Sequence, residues 1–189
     1  MARKVAIVAK AVTAAFAPYD DPTWEIWGMP WVLYRRTPDL HFDVHSQECW
    51  DHGPMPKSEQ DEWEGLAQES DTTLYCHPSR VHKFKTALPF PYEAVGLQTP
   101  VAFFENTIAY QLAFALFSHR QARISEVKLF GVNMMGKREY LWERASVLYW
   151  CGVLHGSGIN VTTCPGSALF MSYWMAGRYG ETAEKRFTL

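Results

Sequence analysis

From Thr99 to Ser167 the sequence alternates between helical and strand periodicity in a way that few architectures accommodate. Asn106 and Thr107 suit a helix N-cap, and Ile108, Leu112, Ala115, Leu116 and His119 follow at helical spacing. Val127 to Asn133 is a short apolar run that reads as a buried strand. After a turn at Met134 to Lys137, a second helix carries Leu141, Ala145, Leu148, Cys151 and Leu154 on one face, and Gly156 or Gly158 is placed to end it. Ile159 to Cys164 is the next strand, and Pro165-Gly166-Ser167 turns the chain. Two apolar strands joined by a helix form a βαβ unit, which requires a parallel sheet and a right-handed crossover. Open sheets of this kind bind ligands at the carboxyl ends of their strands. Asn133, Lys137, Glu139, Tyr140, Pro165 and Ser167 are therefore expected on a functional rim.

The upstream half extends the pattern. Lys4 to Ala9 fits a first buried strand, and Lys10 to Ala15 a loop over the sheet edge. That loop has no glycine, so no phosphate loop is expected. Trp24 to Gly28 reads as the second strand, ended by Met29-Pro30-Trp31, and Val32 to Arg36 as a short helix or turn. Leu40 to His45 is the third strand, with His45-Ser46 at its end, and Thr72 to Cys76 is the fourth. Between them, Gln47 to Ser70 is a polar, acidic excursion with one amphipathic helix over Glu59 to Ala67 and Trp63 facing inward. His77 to Pro91 reads as a basic surface loop carrying Arg80, His82, Lys83 and Lys85. An aromatic tail from about residue 170, with Tyr173, Trp174 and Tyr179, is expected to cover the core or to pack on a second copy, which makes a homo-oligomer one expected assembly. The whole predicts a single Rossmann-like α/β domain over residues 1–189, three-layered, with a mostly parallel sheet.

With 189 residues, 48% of them hydrophobic, the chain can bury one substantial core. A formal net charge of −2 gives no whole-molecule attraction to nucleic acid or to an anionic membrane, and no stretch is long and apolar enough to span a bilayer. Lys10 interrupts the apolar N-terminal run and Pro18 follows its Ala-Phe-Ala, so no signal peptide is expected. Cys49, Cys76, Cys151 and Cys164 lack CxxC spacing and read as reduced core thiols of a cytoplasmic protein. His41, His45, Cys49 and His52 are zinc-ligand types in no recognised zinc motif; neither a metal nor another cofactor is expected. His45, at a strand end, suits a base or a holder of a ligand hydroxyl, or a satisfied structural histidine. Glu105-Asn106-Thr107 offers free amides to an anion, with Glu105 opposing it, and Glu139, Tyr140 and Arg144 follow Asn133 closely enough to converge on one pocket.

Val127 to Tyr140, an apolar strand, Gly-Val-Asn-Met and a nearby Glu-Tyr-Leu-Trp, resembles the Gly-Ile/Val-Asp-Phe/Met and following Tyr-Ala-Phe/Tyr of single-domain bacterial sialyltransferases. Trp24 to Gly28 and Pro165 to Ser167 resemble motifs of small Rossmann-like proteins encoded by bacteriophages. The first resemblance implies a nucleotide-sugar donor over Thr13, Pro30, His45 and Asn106-Thr107, with Tyr140 helping the leaving phosphate depart. The chain departs from that pattern in its first loop without glycines, in Pro30 where an asparagine would hold the nucleotide, and in Asn133 in place of an aspartate. It also lacks the lid segment that carries a catalytic histidine. The expectation is a nucleotide or nucleotide-sugar binding protein, a glycosyltransferase-like transferase of phage origin. His45 or Glu139 would be its base and Tyr140 its proton donor. Ser46, Asn133, Lys137 and Ser167 would join Thr13, Pro30, Asn106 and Thr107 in binding the ligand. The alternatives are a non-catalytic phage accessory protein that sequesters a nucleotide or binds a protein partner, and an enzyme of phage DNA base modification that grips phosphates through Arg80 to Lys85.

Overall fold

The computed structural model describes residues 2–53, 56–134 and 138–171, the last without the side chains of 138–141. Strand β1 (Arg3–Val8) needs cover on both faces, because Val5 and Ile7 enter one hydrophobic core while Ala6 and Val8 enter another. It lies inside a seven-stranded sheet with β2 (Trp24–Gly28), β3 (Leu40–Asp43), β4 (Thr73–Cys76), β5 (Ala87–Pro89), β6 (Ile124–Phe130) and β7 (Asn160–Thr163). Every pairing is parallel, and the order is β5-β4-β3-β2-β1-β6-β7. This is the expected α/β, Rossmann-like class, with helices on both faces of one sheet.

The chain lays β1 to β5 toward one edge, then returns past β1 to add β6 and β7 on the other side. Right-handed crossovers that run in opposite directions lie on opposite faces. Helices α4 (Thr107–Gln121) and α5 (Arg138–Gly156) accordingly share one core with Val5, Ile7, Val127 and Leu129. On the other face, α1 (Gln47–His52) and α2 (Lys57–Glu69) bring Trp50, Trp63 and Ala67 onto Leu74 and Cys76 of β4. Over β1 and β2 that face is covered by two 3-10 turns, Val12–Phe16 and Pro30–Val32, whose Ala14 and Val32 meet Ala6, Val8 and Ile26. A short helix α3 (Tyr92–Gly96) precedes α4.

Several boundaries differ from the sequence expectation, each for a local reason. Strand β3 ends at Asp43 rather than His45, because the Asp43 carboxylate accepts the His45 backbone amide and turns the chain. Strand β6 begins at Ile124 and ends at Phe130, since Gly131 takes φ +69°. A Cβ there would lie 2.4 Å from the Ala9 carbonyl oxygen, so only glycine lets β6 leave the sheet this close to β1. The stretch expected as a basic loop contains a 3-10 turn (Pro78–Lys83) and the edge strand β5; Pro89 has no amide to donate, which an edge tolerates. The excursion over 47–70 holds two helices rather than one, with Trp63 buried inward as expected. Cys76, Cys151 and Cys164 are buried free thiols, but Cys49 is exposed on α1 and is not a core residue. The aromatic tail beyond residue 171 lies outside the described residues. Among those residues, no helix is long and apolar enough to cross a membrane.

Candidate functional site

The strand order reverses between β1 and β6, and open sheets bind ligands at such a point. A cavity of about 640 Å³ lies there, walled by the segments that follow β1, β2, β3 and β6 and by the start of α4. His45, Pro30, Asn106, Thr107 and Asn133 all line it, so residues far apart in the chain are brought together.

His45 is held by Asp43. Its Nδ1 donates to Asp43 Oδ1 at 2.8 Å, and its backbone amide reaches the same oxygen at 3.3 Å. A carboxylate can only accept, so the Nδ1 hydrogen is fixed, and in the neutral ring Nε2 carries the lone pair. Asp43 is fully buried, and its other oxygen accepts from Trp50 Nε1 at 2.9 Å and from the Arg80 guanidinium. Arg80 is itself fully buried, bonds Glu64 at 2.9 Å, and lies 4.2 Å from the centre of the Trp50 ring and 5.0 Å from that of Trp63. The imidazole therefore ends a chain of charged and aromatic contacts that runs through α1, α2 and the turn after β4. Burial beside the Asp43 carboxylate raises the Cys76 thiol to about 11, which keeps it protonated beside this chain.

Asn106 caps α4, its Oδ1 accepting from the Ala109 amide at 2.9 Å, while its Nδ2 donates to the Glu143 carbonyl of α5 at 3.2 Å. The first amides of a 15-residue helix thus face the cavity with the positive end of its dipole. Thr107, 2% exposed, lines the cavity, and its Oγ1 is buried without a partner among the described residues. Lys10 supplies a cation on the wall; Glu105 and Glu143 supply carboxylates.

Three predicted ligand residues lie behind the wall rather than on it. Thr13 is buried, accepts from the Gly131 amide at 3.1 Å and donates to Asn133 Oδ1 at 3.5 Å, which steadies the rim. Ser46 caps α1 by accepting from the Cys49 amide at 3.1 Å. Ser167 is buried and donates to the Val132 carbonyl at 2.6 Å. Arg144 is buried too, bonded to the carbonyls of Leu169 and Met171, and does not join the cavity. Lys137 and the side chains of Glu139 and Tyr140 lie outside the described residues.

The possible zinc ligands do not converge: His41 is buried edge-on against Trp63 and His45 is tied to Asp43. Among the described residues no three His, Cys, Asp or Glu side chains are placed to hold a metal. In the basic stretch Arg80 is buried against Asp43 and Glu64, Lys83 pairs with Glu64, and the exposed Lys85 pairs with Asp71. Sequence reading missed Asp43, Lys10, Trp31 and Glu143, and set Arg80 in a surface loop although it is buried. For Asp43 a signal existed, a carboxylate inside an apolar strand two residues before a histidine; only a buried cation permits that. No family model matches the chain, and neither does a curated protein or a solved structure.

Proposed function

We propose that the cavity between β1 and β6 binds a nucleotide or nucleotide sugar and that the chain transfers or cleaves the group attached to its phosphate. The observation that carries this reading is His45, held by a fully buried Asp43 at the same cavity that receives the amino end of α4. The helix start and Lys10 suit a phosphate, and the unpartnered Thr107 hydroxyl adds a donor beside it. His45 Nε2 takes the proton of the attacking hydroxyl, sugar or water, as its oxygen bonds the transferred carbon. The bond from that carbon to the phosphate oxygen breaks, and the electron pair leaves with the phosphate, which the helix start stabilises. The sialyltransferase-like motif gives Tyr140 the role of donating a proton to that oxygen.

Calorimetric titration with a panel of nucleotides and sugar nucleotides tests the binding. No heat from any of them at millimolar concentration would defeat the proposal. Turnover separates transfer from sequestration: an enzyme yields product, whereas a sequestering protein returns its ligand unchanged after denaturation. His45→Ala is expected to keep binding within a few-fold and to lose product formation by about 100-fold or more.

A further inference from the structure

We infer that a second cavity, of about 440 Å³ and sharing a wall with the first, is a binding site for an uncharged saccharide ring. Lys10 and Trp31 line both cavities, and the Lys10 ammonium lies 5.7 Å from the centre of the Trp31 ring. This cation–π pair lies, with Ala9, on the wall that the two spaces share. The cavity exists because short 3-10 turns, not a full helix, cover β1 and β2 on this face.

Its chemistry points to a ring with one apolar face and a rim of hydroxyls. Trp31 and Tyr34 both line it, with ring centroids 6.0 Å apart and planes 24° from parallel. The Tyr34 hydroxyl donates to the Glu59 carbonyl at 3.2 Å, so the ring is tied to α2 although 37% exposed. Such faces take the C–H side of a sugar. Lys10 and Arg35 are balanced by Glu59 and Glu62, so the lining selects neither an anion nor a cation. Carboxylates and a guanidinium are also paired acceptors and donors that vicinal hydroxyls can satisfy. Treating this ring as the acceptor rests on the reading of the first cavity as a transfer site; its binding does not.

Saturation-transfer NMR of the full chain with neutral mono- and oligosaccharides, with and without a nucleotide, tests the site. Expected is transfer to the ring C–H protons of at least one saccharide, reduced at least five-fold in Tyr34→Ala and in Glu62→Gln, both with wild-type melting curves. No transfer to any saccharide, or a signal that both variants leave unchanged, overturns the inference. Nucleotide titration of the same samples reports separately on the first cavity, so either reading can fail alone.

Discussion

Asp43 and Arg80 have no exposed surface, and taking two charges out of water is repaid only while both are present. Removing one leaves the other buried and uncompensated, at a cost of about 3–5 kcal/mol. Arg80→Met is therefore expected to lower the unfolding free energy by about that amount in denaturant melts. Asp43→Leu combined with Arg80→Met should cost less than the two single changes added together, because no orphaned charge then remains. Strict additivity would show that the two residues are not coupled. The same pair explains why His45 was legible from sequence and its support was not. A histidine near a strand end is visible in the order of residues, whereas the partner of Asp43 lies 37 positions away, in a stretch that reads as a solvated basic loop.

At the scale of elements, periodicity and caps carried the reading where segments were long. Helix α4 is capped by Asn106 as expected, α5 ends at Gly156, and β2 spans Trp24–Gly28. Three-residue β5 and six-residue α1 are too short for periodicity to register, and tertiary pairing decides them. Two element termini build the cavity and give separate tests. Asn106→Ala removes a helix cap and should cost about 1 kcal/mol of stability, while Asn106→Asp keeps the cap but sets a further carboxylate beside Glu105. The aspartate variant also loses the Nδ2 hydrogen bond to the Glu143 carbonyl, so it is expected to melt below wild type and to bind any nucleotide several-fold more weakly than the alanine variant does; equal affinity in the two variants would remove the phosphate from the helix start. Gly131→Ala should cost at least about 1–2 kcal/mol from its left-handed backbone alone. The added methyl would also push against the Ala9 carbonyl, so the β1 and β6 loops must part and the cavity should bind less well. Calorimetric denaturation and ligand titration of this one variant check both effects.

For the whole molecule, acid sensitivity is expected to arise in part where the sheet meets its α1–α2 cover. His41 is 1% exposed, packs edge-on against Trp63, and burial lowers its pKa from 6.5 to about 4. Well above pH 6.5 the ring is neutral in both folded and unfolded chains and contributes no pH dependence. Below that value the unfolded chain takes up a proton that the folded one refuses until about pH 4, so folding loses free energy as the pH falls through this window. The difference of about 2.5 units corresponds to roughly 3 kcal/mol at its lower end. Carboxylates titrate over the same range, so the comparison that isolates His41 is with His41→Phe, which fills a similar volume and cannot take the proton. The unfolding free energy of the wild type should fall more steeply than that of the variant between pH 6.5 and 4.5, and the two slopes should agree above pH 7. Parallel curves throughout would mean that the ring is solvated in the folded protein and that the cover over β3 is looser than the edge-on packing of His41 against Trp63 implies.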